Sequence, residues 1–380
     1  MAKIARIPLS NVYIGGDYTG RILVGPEQQP LNVILDTGSS ALALDGTKYH
    51  PKLNAGDRST HLAQTESYGD NSSWTGAVIK TKISIGSGAH RVVLRGGNAA
   101  IAYTATANMF GDSDGILGLA YAPLDDAFRM PADTWKNQYT AVQVLGGKQR
   151  DIKPYLTQLS DQGVVSDQIA FITKRSYPHV GGGNPLNDPL NQGLMIVGGG
   201  KEERDLYTGN FQTVKVLSDE WYCTNLKAII VGNRDPIVAR MKGPKGMPSN
   251  SIVDSGTNSL SFAPSMLKAI LSRFPAAQRH MLAAAIRQST PVSVSDLKLA
   301  EWPTLKVVMQ GLNGEVSLEV PPSNYWQVNT NRKGFAAAAI TVGGPGLTIL
   351  GLPLMNGYYT IFDGEADNGR GVIQFATPRT

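Results

Sequence analysis

The chain has 380 residues, 42 of them Gly, with 17% charged residues and a formal net charge of +5. The length suggests two domains, and abundant Gly with few charges excludes a helical bundle or a disordered segment. Lys and Arg never run longer than two in a row, which excludes a nucleic-acid footprint, and Phe335 to Val342 is too short to span a membrane.

In chain order, Met1 to Leu9 holds Lys3 and Arg6 but no long apolar run, so no secretory signal is expected. Strands are expected at Ile4–Leu9, Arg21–Val24 and Asn32–Leu35, where β-branched and apolar residues are punctuated by turn formers. The third runs into Val33-Ile34-Leu35-Asp36-Thr37-Gly38-Ser39, a carboxylate on a turn of small residues. Ser67 to Gly76 is polar and Gly-containing between strand-like flanks, which reads as a hairpin. Strands follow at Ala77–Ser84 and Arg91–Leu94, then Gly111-Asp112-Ser113-Asp114-Gly115 and Ile116-Leu117-Gly118. A short amphipathic helix is expected at Tyr155–Leu159, and a loop insertion around His179–Pro185. After the Gly-rich end of a strand at Met195–Gly200, a domain boundary is expected at residues 204 and 205, giving domains 1–204 and 205–380.

The second half repeats the style, with strands at Thr213–Val216, Lys227–Val231, Leu305–Met309 and Gly371–Phe375, and helix over Pro264–Gln288 interrupted by Pro275. Cys223 is the only cysteine, so no intramolecular disulfide can form and a reducing compartment, the cytoplasm, is the expected location. Within its strand-like stretch Cys223 reads as a small buried side chain.

One pattern occurs twice. Ser251-Ile252-Val253-Asp254-Ser255-Gly256-Thr257 repeats the Asp36 segment, with two apolar residues before the Asp and a hydroxyl three after it. A single Asp before Gly commonly just opens a turn. Two such segments, each followed by an Ile-Leu-Gly echo (at Gly118 and at Gly351), point to two related halves that each contribute one carboxylate. Two carboxylates facing one water share a proton, so one can act as base while the other acts as acid. Gly38 and Gly256 leave N–H groups open to the carboxylates, and Ser39 and Thr257 offer hydroxyls that favour the charged form, from which an acidic optimum is expected.

With Ser113 to Tyr121, Tyr207-Thr208-Gly209 and Thr348-Ile349-Leu350-Gly351 followed by Tyr358 to Asp363, these motifs resemble the pepsin-type aspartic proteases over most of the chain. Segments 129–150 and 176–192 have no clear place in that pattern. The resemblance implies an all-β, bilobal fold with a few short helices and a cleft between pseudo-twofold-related lobes. It implies an aspartic endopeptidase with Asp36 and Asp254 as the catalytic pair, and Thr37 and Ser255 bonding the two loops together. It also implies peptide or protein substrates, inhibition by pepstatin-like compounds, and a monomer that uses neither metal nor cofactor. The Ser67–Gly76 hairpin is similar to the family's flap: Tyr68 would cover the pair, and Gly69 and Asp70 would offer backbone donors to substrate. Ile34 and Ile116 would line an apolar pocket, giving a preference for large apolar residues at the scissile bond.

One departure is plain. A Trp commonly stands seven residues after the first Asp and receives the flap Tyr; here that position is Ala43, and Trp74 is the candidate replacement. Only 35 residues precede Asp36, leaving no expected room for a pepsin-like prosegment. The chain thus resembles bacterial homologues such as the shewasins, which lack prosegment and signal alike.

Three rival readings stand beside this one. A pepsin-fold binding or inhibitor protein would typically have lost an Asp or its Gly, and all four are present here. A serine hydrolase using Ser113 in Gly-x-Ser-x-Gly needs a strand-to-helix elbow and a partner His, with His179 and His280 downstream. Metal hydrolysis lacks any clustered His or Cys spacing.

Overall fold

The computed structural model describes residues 2–13, 16–245, 247–288 and 291–379. It is a mainly β, bilobal structure with short helices. Its spine is six antiparallel strands, three from before residue 200 and three from after it. Their order is Ala5–Ser10, Gln192–Val197, Gln168–Ile172, Tyr359–Asp363, Val372–Pro378 and Tyr207–Lys215. The middle strands are apolar on both faces, because one face packs Ala170, Ile196, Tyr359 and Ile361 while the other packs Phe171, Met195, Phe362 and Ile373. The first strand alternates instead, burying Ala5, Ile7 and Leu9 and exposing Arg6 and Pro8. From Val197 to Tyr207 the chain runs in turns.

From this spine each half grows a second layer with the same plan. Gln29–Asp36 pairs in parallel with Gly115–Gly118, which also pairs antiparallel with Leu42–Asp45. Ser251–Val253 pairs in parallel with Thr348–Leu350, which pairs antiparallel with Leu260–Phe262. The Ile-Leu-Gly echoes are therefore the middle strands of equivalent three-strand sets. Each needs its Gly for close approach: a Cβ on Gly118 would lie 2.4 Å from Ser40 C, and one on Gly351 2.1 Å from Thr257 O.

Most expected strands are present, several of them longer than the sequence pattern indicated. The hairpin arm Ser73–Ile85 begins within the polar stretch, and Val92–Ala105 continues eleven residues beyond the expected Leu94 (105 − 94). The expected helix at Tyr155 runs to Asp161. Pro264–Gln288 is two helices, Pro264–Arg273 and Ala276–Gln288. Pro275 explains the break: it has no N–H, and the residue before it, Phe274, is held extended at φ −76, ψ 149.

The unplaced segment 129–150 belongs to a small antiparallel hairpin, Asp126–Arg129 with Lys148–Asp151, which adds to the sheet at Leu62 and Ala63 of the strand Arg58–Ser67. Its tip carries a one-turn helix, Ala141–Leu145, started by a reciprocal Thr140 and Gln143 capping box. Segment 176–192 is largely irregular and fastens to the second half. Ser176 N–H donates to Gln327 Oε1 and Val180 N–H to Asn329 O, and just before the segment Arg175 Nη2 donates to Val328 O. Among the described residues no helix is long and apolar enough to cross a membrane.

The Gly351 geometry gives a direct test. Gly351→Ala puts a methyl against two backbone carbonyls and is expected to lower unfolding free energy by about 3 kcal/mol or more in urea denaturation; an unchanged midpoint would refute the close approach.

Candidate active site

Asp36 ends the strand Gln29–Asp36 and Asp254 directly follows the strand Ser251–Val253, each entering a tight turn, and both side chains meet at the seam of the halves, each 7% exposed. The two loops hold their carboxylates identically. Gly38 N–H donates to Asp36 Oδ1 at 2.7 Å and Ser39 Oγ to Asp36 Oδ2 at 2.5 Å. Gly256 N–H donates to Asp254 Oδ1 at 2.8 Å and Thr257 Oγ1 to Asp254 Oδ2 at 2.6 Å. Each glycine also faces the opposite carboxylate. A Cβ on Gly38 would stand 2.7 Å from Asp254 Cγ, and one on Gly256 would stand 2.3 Å from Asp36 Oδ1. Alanine at either position would push the pair apart.

Beneath the carboxylates the loops exchange hydrogen bonds in both directions. Thr37 N–H donates to Ser255 Oγ (3.0 Å) and Ser255 N–H to Thr37 Oγ1 (2.9 Å). The same hydroxyls donate onward, Thr37 Oγ1 to Val253 O and Ser255 Oγ to Leu35 O. All of this is buried, so each hydroxyl has a full set of partners where water does not reach.

Burial, and then the negative charge of Asp254, hold the Asp36 carboxyl well above the usual carboxylate range. The hydrogen bonds from Ser39 and Gly38 pull the other way and are outweighed. The sequence-based expectation that the hydroxyls favour the charged form is thus right in sign for the individual bonds but not for the balance at Asp36. Two carboxyls this close and this deeply buried retain one proton between them.

The hairpin folds over the pair. Tyr68 packs with Ile34, Ala43, Trp74, Phe110 and Ile116, and Trp74 Nε1 donates to Tyr68 Oη at 3.2 Å. Trp74 is 1% exposed and shares its cluster with Ala43, so the indole comes from the hairpin strand instead of from position 43. Burial, then the charge of Asp36, raise the Tyr68 phenol, which stays neutral. Asn71 takes φ 68 at the turn, and the Asp70 carboxylate accepts from Ser72 N–H; the Ser72 hydroxyl first, against a smaller effect of burial, and then this N–H hold its pKa below the usual carboxylate value. Among the described residues the N–H of Gly69 has no partner. Ile34 and Ile116, 5% and 6% exposed, spend most of their surface inside this cluster.

Ser113 has different surroundings. It is fully buried, its Oγ donates to Phe110 O, and the segment after it is the strand Gly115–Gly118, not the helix that an elbow requires. Cys223 is buried in a two-residue strand as expected.

Two residues at the site carried no motif. Trp221 Nε1 donates to Gly38 O at 2.9 Å, so an indole from the second half steadies the first Asp loop. Asp17 lies close enough to Asp254 and Asp70 to feel both charges; its Oδ1 is shut from solvent and has no hydrogen-bond partner among the described residues, and its pKa is pushed up to about 8, chiefly by burial. A lone Trp before an apolar strand and a lone Asp in a Gly-rich turn give no periodic or spacing signal.

A two-lobed β protein with paired aspartates on equivalent loops is the class that this geometry defines. The sequence pattern of the family described as eukaryotic aspartyl protease matches residues 17–144 and 183–377, and the chain belongs to that family. It is similar to cathepsin D of Chionodraco hamatus, 25% identical over 377 residues that cover 93% of this chain and 80% of the relative. It is also similar to pepsin A of Sus scrofa (26% over 387 residues, 99% and 85%) and of Bos taurus (24% over 375 residues, 95% and 84%).

Two outcomes are expected here. Thr37→Val keeps the shape but leaves Ser255 N–H without an acceptor, and is expected to cost about 1–3 kcal/mol in denaturant unfolding. Asp17 binds its proton more tightly folded than unfolded, so its stabilising effect is complete at acid pH and is lost as pH rises from the ordinary carboxylate range through about 8. Asp17→Asn is therefore expected to raise Tm at pH 8, by roughly 2 °C or more, with little change at pH 4; a gain confined to pH 4 would refute the assignment.

Proposed function

We propose that the chain is an aspartic-type endopeptidase in which Asp36 and Asp254 activate one water between them. The observation that carries this reading is the matched pair of carboxylates, each fixed by a glycine N–H and a hydroxyl, at a separation that forces them to share a proton. The ionised member removes a proton from the water, and the protonated member donates a hydrogen bond to the scissile carbonyl. Water adds directly, with no covalent enzyme intermediate.

The other parts of the reading follow the site outward. Tyr68 closes over the pair and Gly69 offers its free N–H to an extended peptide. Ile34 and Ile116 favour large apolar residues at the scissile bond. Both halves of the site lie in one chain, which supports a monomer whose lobes span 1–204 and 205–380, and a pepstatin-like inhibitor is expected to occupy the cleft. The single buried cysteine supports a reducing, cytoplasmic setting and kinship with bacterial members of the family; recovery of the native protein from a secreted fraction would overturn that placement.

Asp36→Asn or Asp254→Asn is expected to reduce cleavage of an apolar peptide at least about a thousandfold. The wild-type kcat/KM is expected to be bell-shaped with an acidic optimum, its alkaline limb lying above the ordinary carboxylate range because Asp36 is shifted upward. Cleavage that survives either substitution would eliminate the two-carboxylate mechanism. If the wild type cut no peptide at any pH from about 3 to about 8, a pepsin-fold binding protein would be the better reading.

A further inference from the structure

Away from the two aspartates, the helices Pro264–Arg273 and Ala276–Gln288 meet at Phe274-Pro275 and leave a groove of about 540 Å³ between them. Its walls are Leu267, Leu271, Ala283 and Ile286, and Val342, 57% exposed, stands at one end. None of the residues around Asp36 or Asp254 lines it.

The rim is the unusual part. Lys268, Arg279, His280 and Arg287 surround the apolar walls, and no Asp or Glu lines the groove. Among the described residues none of the four is in an ion pair; Arg287 Nε donates only to Ala283 O of its own helix. An apolar trough of this size edged by cations of one sign is complementary to a molecule with an apolar body and an anionic head. A second copy of the chain would bring its own cations against these, and like charges would oppose that pairing.

We propose that this groove binds a single-chain amphiphile with a carboxylate head, of the long-chain fatty acid class. The chain lies along Leu267, Leu271, Ala283 and Ile286, and the head is held at one end of that apolar stretch by an arginine of the rim, Arg279 or Arg287, which stand about 12 Å apart on one helix. Arg offers two parallel donors to a carboxylate, which favours that head over a neutral one. The inference is independent of the protease reading, since the groove shares no residue with the aspartate site.

The test is calorimetric titration of the full chain with dodecanoate below its micelle concentration, alongside dodecyltrimethylammonium as the same tail with the opposite charge. Saturable one-to-one binding of dodecanoate is expected, at least about tenfold tighter than the cationic amphiphile. Arg279→Glu with Arg287→Glu, both on the helix surface, is expected to weaken dodecanoate at least about tenfold, and Ala283→Trp, which fills the trough, to abolish binding. Unchanged circular dichroism and unfolding midpoint would show that these variants fold. Equal affinity for the two amphiphiles, undiminished binding by the charge-reversed variant, or no saturable binding of dodecanoate would each overturn the proposal. Sedimentation with phosphatidylglycerol vesicles in place of free dodecanoate binding would overturn it in favour of a membrane surface, and a dimer dissolved by the charge reversal would overturn it in favour of a second copy.

Discussion

The reciprocal hydrogen bonds between Thr37 and Ser255 are the constraint on which the site depends. Each backbone N–H reaches the hydroxyl of the other loop, so neither loop has its full complement of partners without the other half in place. The bonds lie below the carboxylates and fix their separation. Burial raises the Asp36 carboxyl most and the charge of Asp254 beside it raises it further, so one proton must remain. Shape, protonation and the room left by Gly38 and Gly256 are thus consequences of one buried junction.

The junction is symmetric in its bonds but not in its surroundings. Thr37 occupies one side and Ser255 the other, and the carbonyl of Gly38 is gripped by the Trp221 indole from across the seam. Tyr68 covers the Asp36 side and feels its charge, while Asp17 approaches Asp254. The two carboxyls therefore sit in different fields although the hydrogen bonds from their own loops follow one pattern.

Much of this was legible in the sequence because the duplication writes the same local solution twice. Asp-[Thr/Ser]-Gly and Ile-Leu-Gly are short-range signals: the small residues are required where backbones cross, and such requirements survive as motifs. The Pro275 break was readable from one residue, because a missing N–H acts locally whatever packs around it. The hairpin Asp126–Arg129 with Lys148–Asp151 was not, since Lys148 to Asp151 are all exposed and show no alternation. Trp221 and Asp17 act through tertiary placement alone. The brace on Tyr68 falls between these cases, because the loss of bulk at Ala43 was visible, but only the fold shows Trp74 filling the same apolar cluster.

The inserted hairpin also changes how the flap can move. Leu62 and Ala63 are paired to Arg129 and Phe128, and Gln64 Nε2 donates to Asp125 Oδ1 and Asp126 O. The base of the arm is thereby riveted to the body of the molecule. Beyond that base the arm stays paired, Thr65 with Thr75 and Ser67 with Ser73, and Thr75, Trp74 and Ser73 are in turn bonded to Thr104, Ala105 and Thr106, so the part not fastened to the rest of the sheet is the tip Tyr68 to Ser72. Any opening over the aspartates that keeps this ladder is then a movement of the short tip around Tyr68, instead of a swing of the whole arm from Arg58.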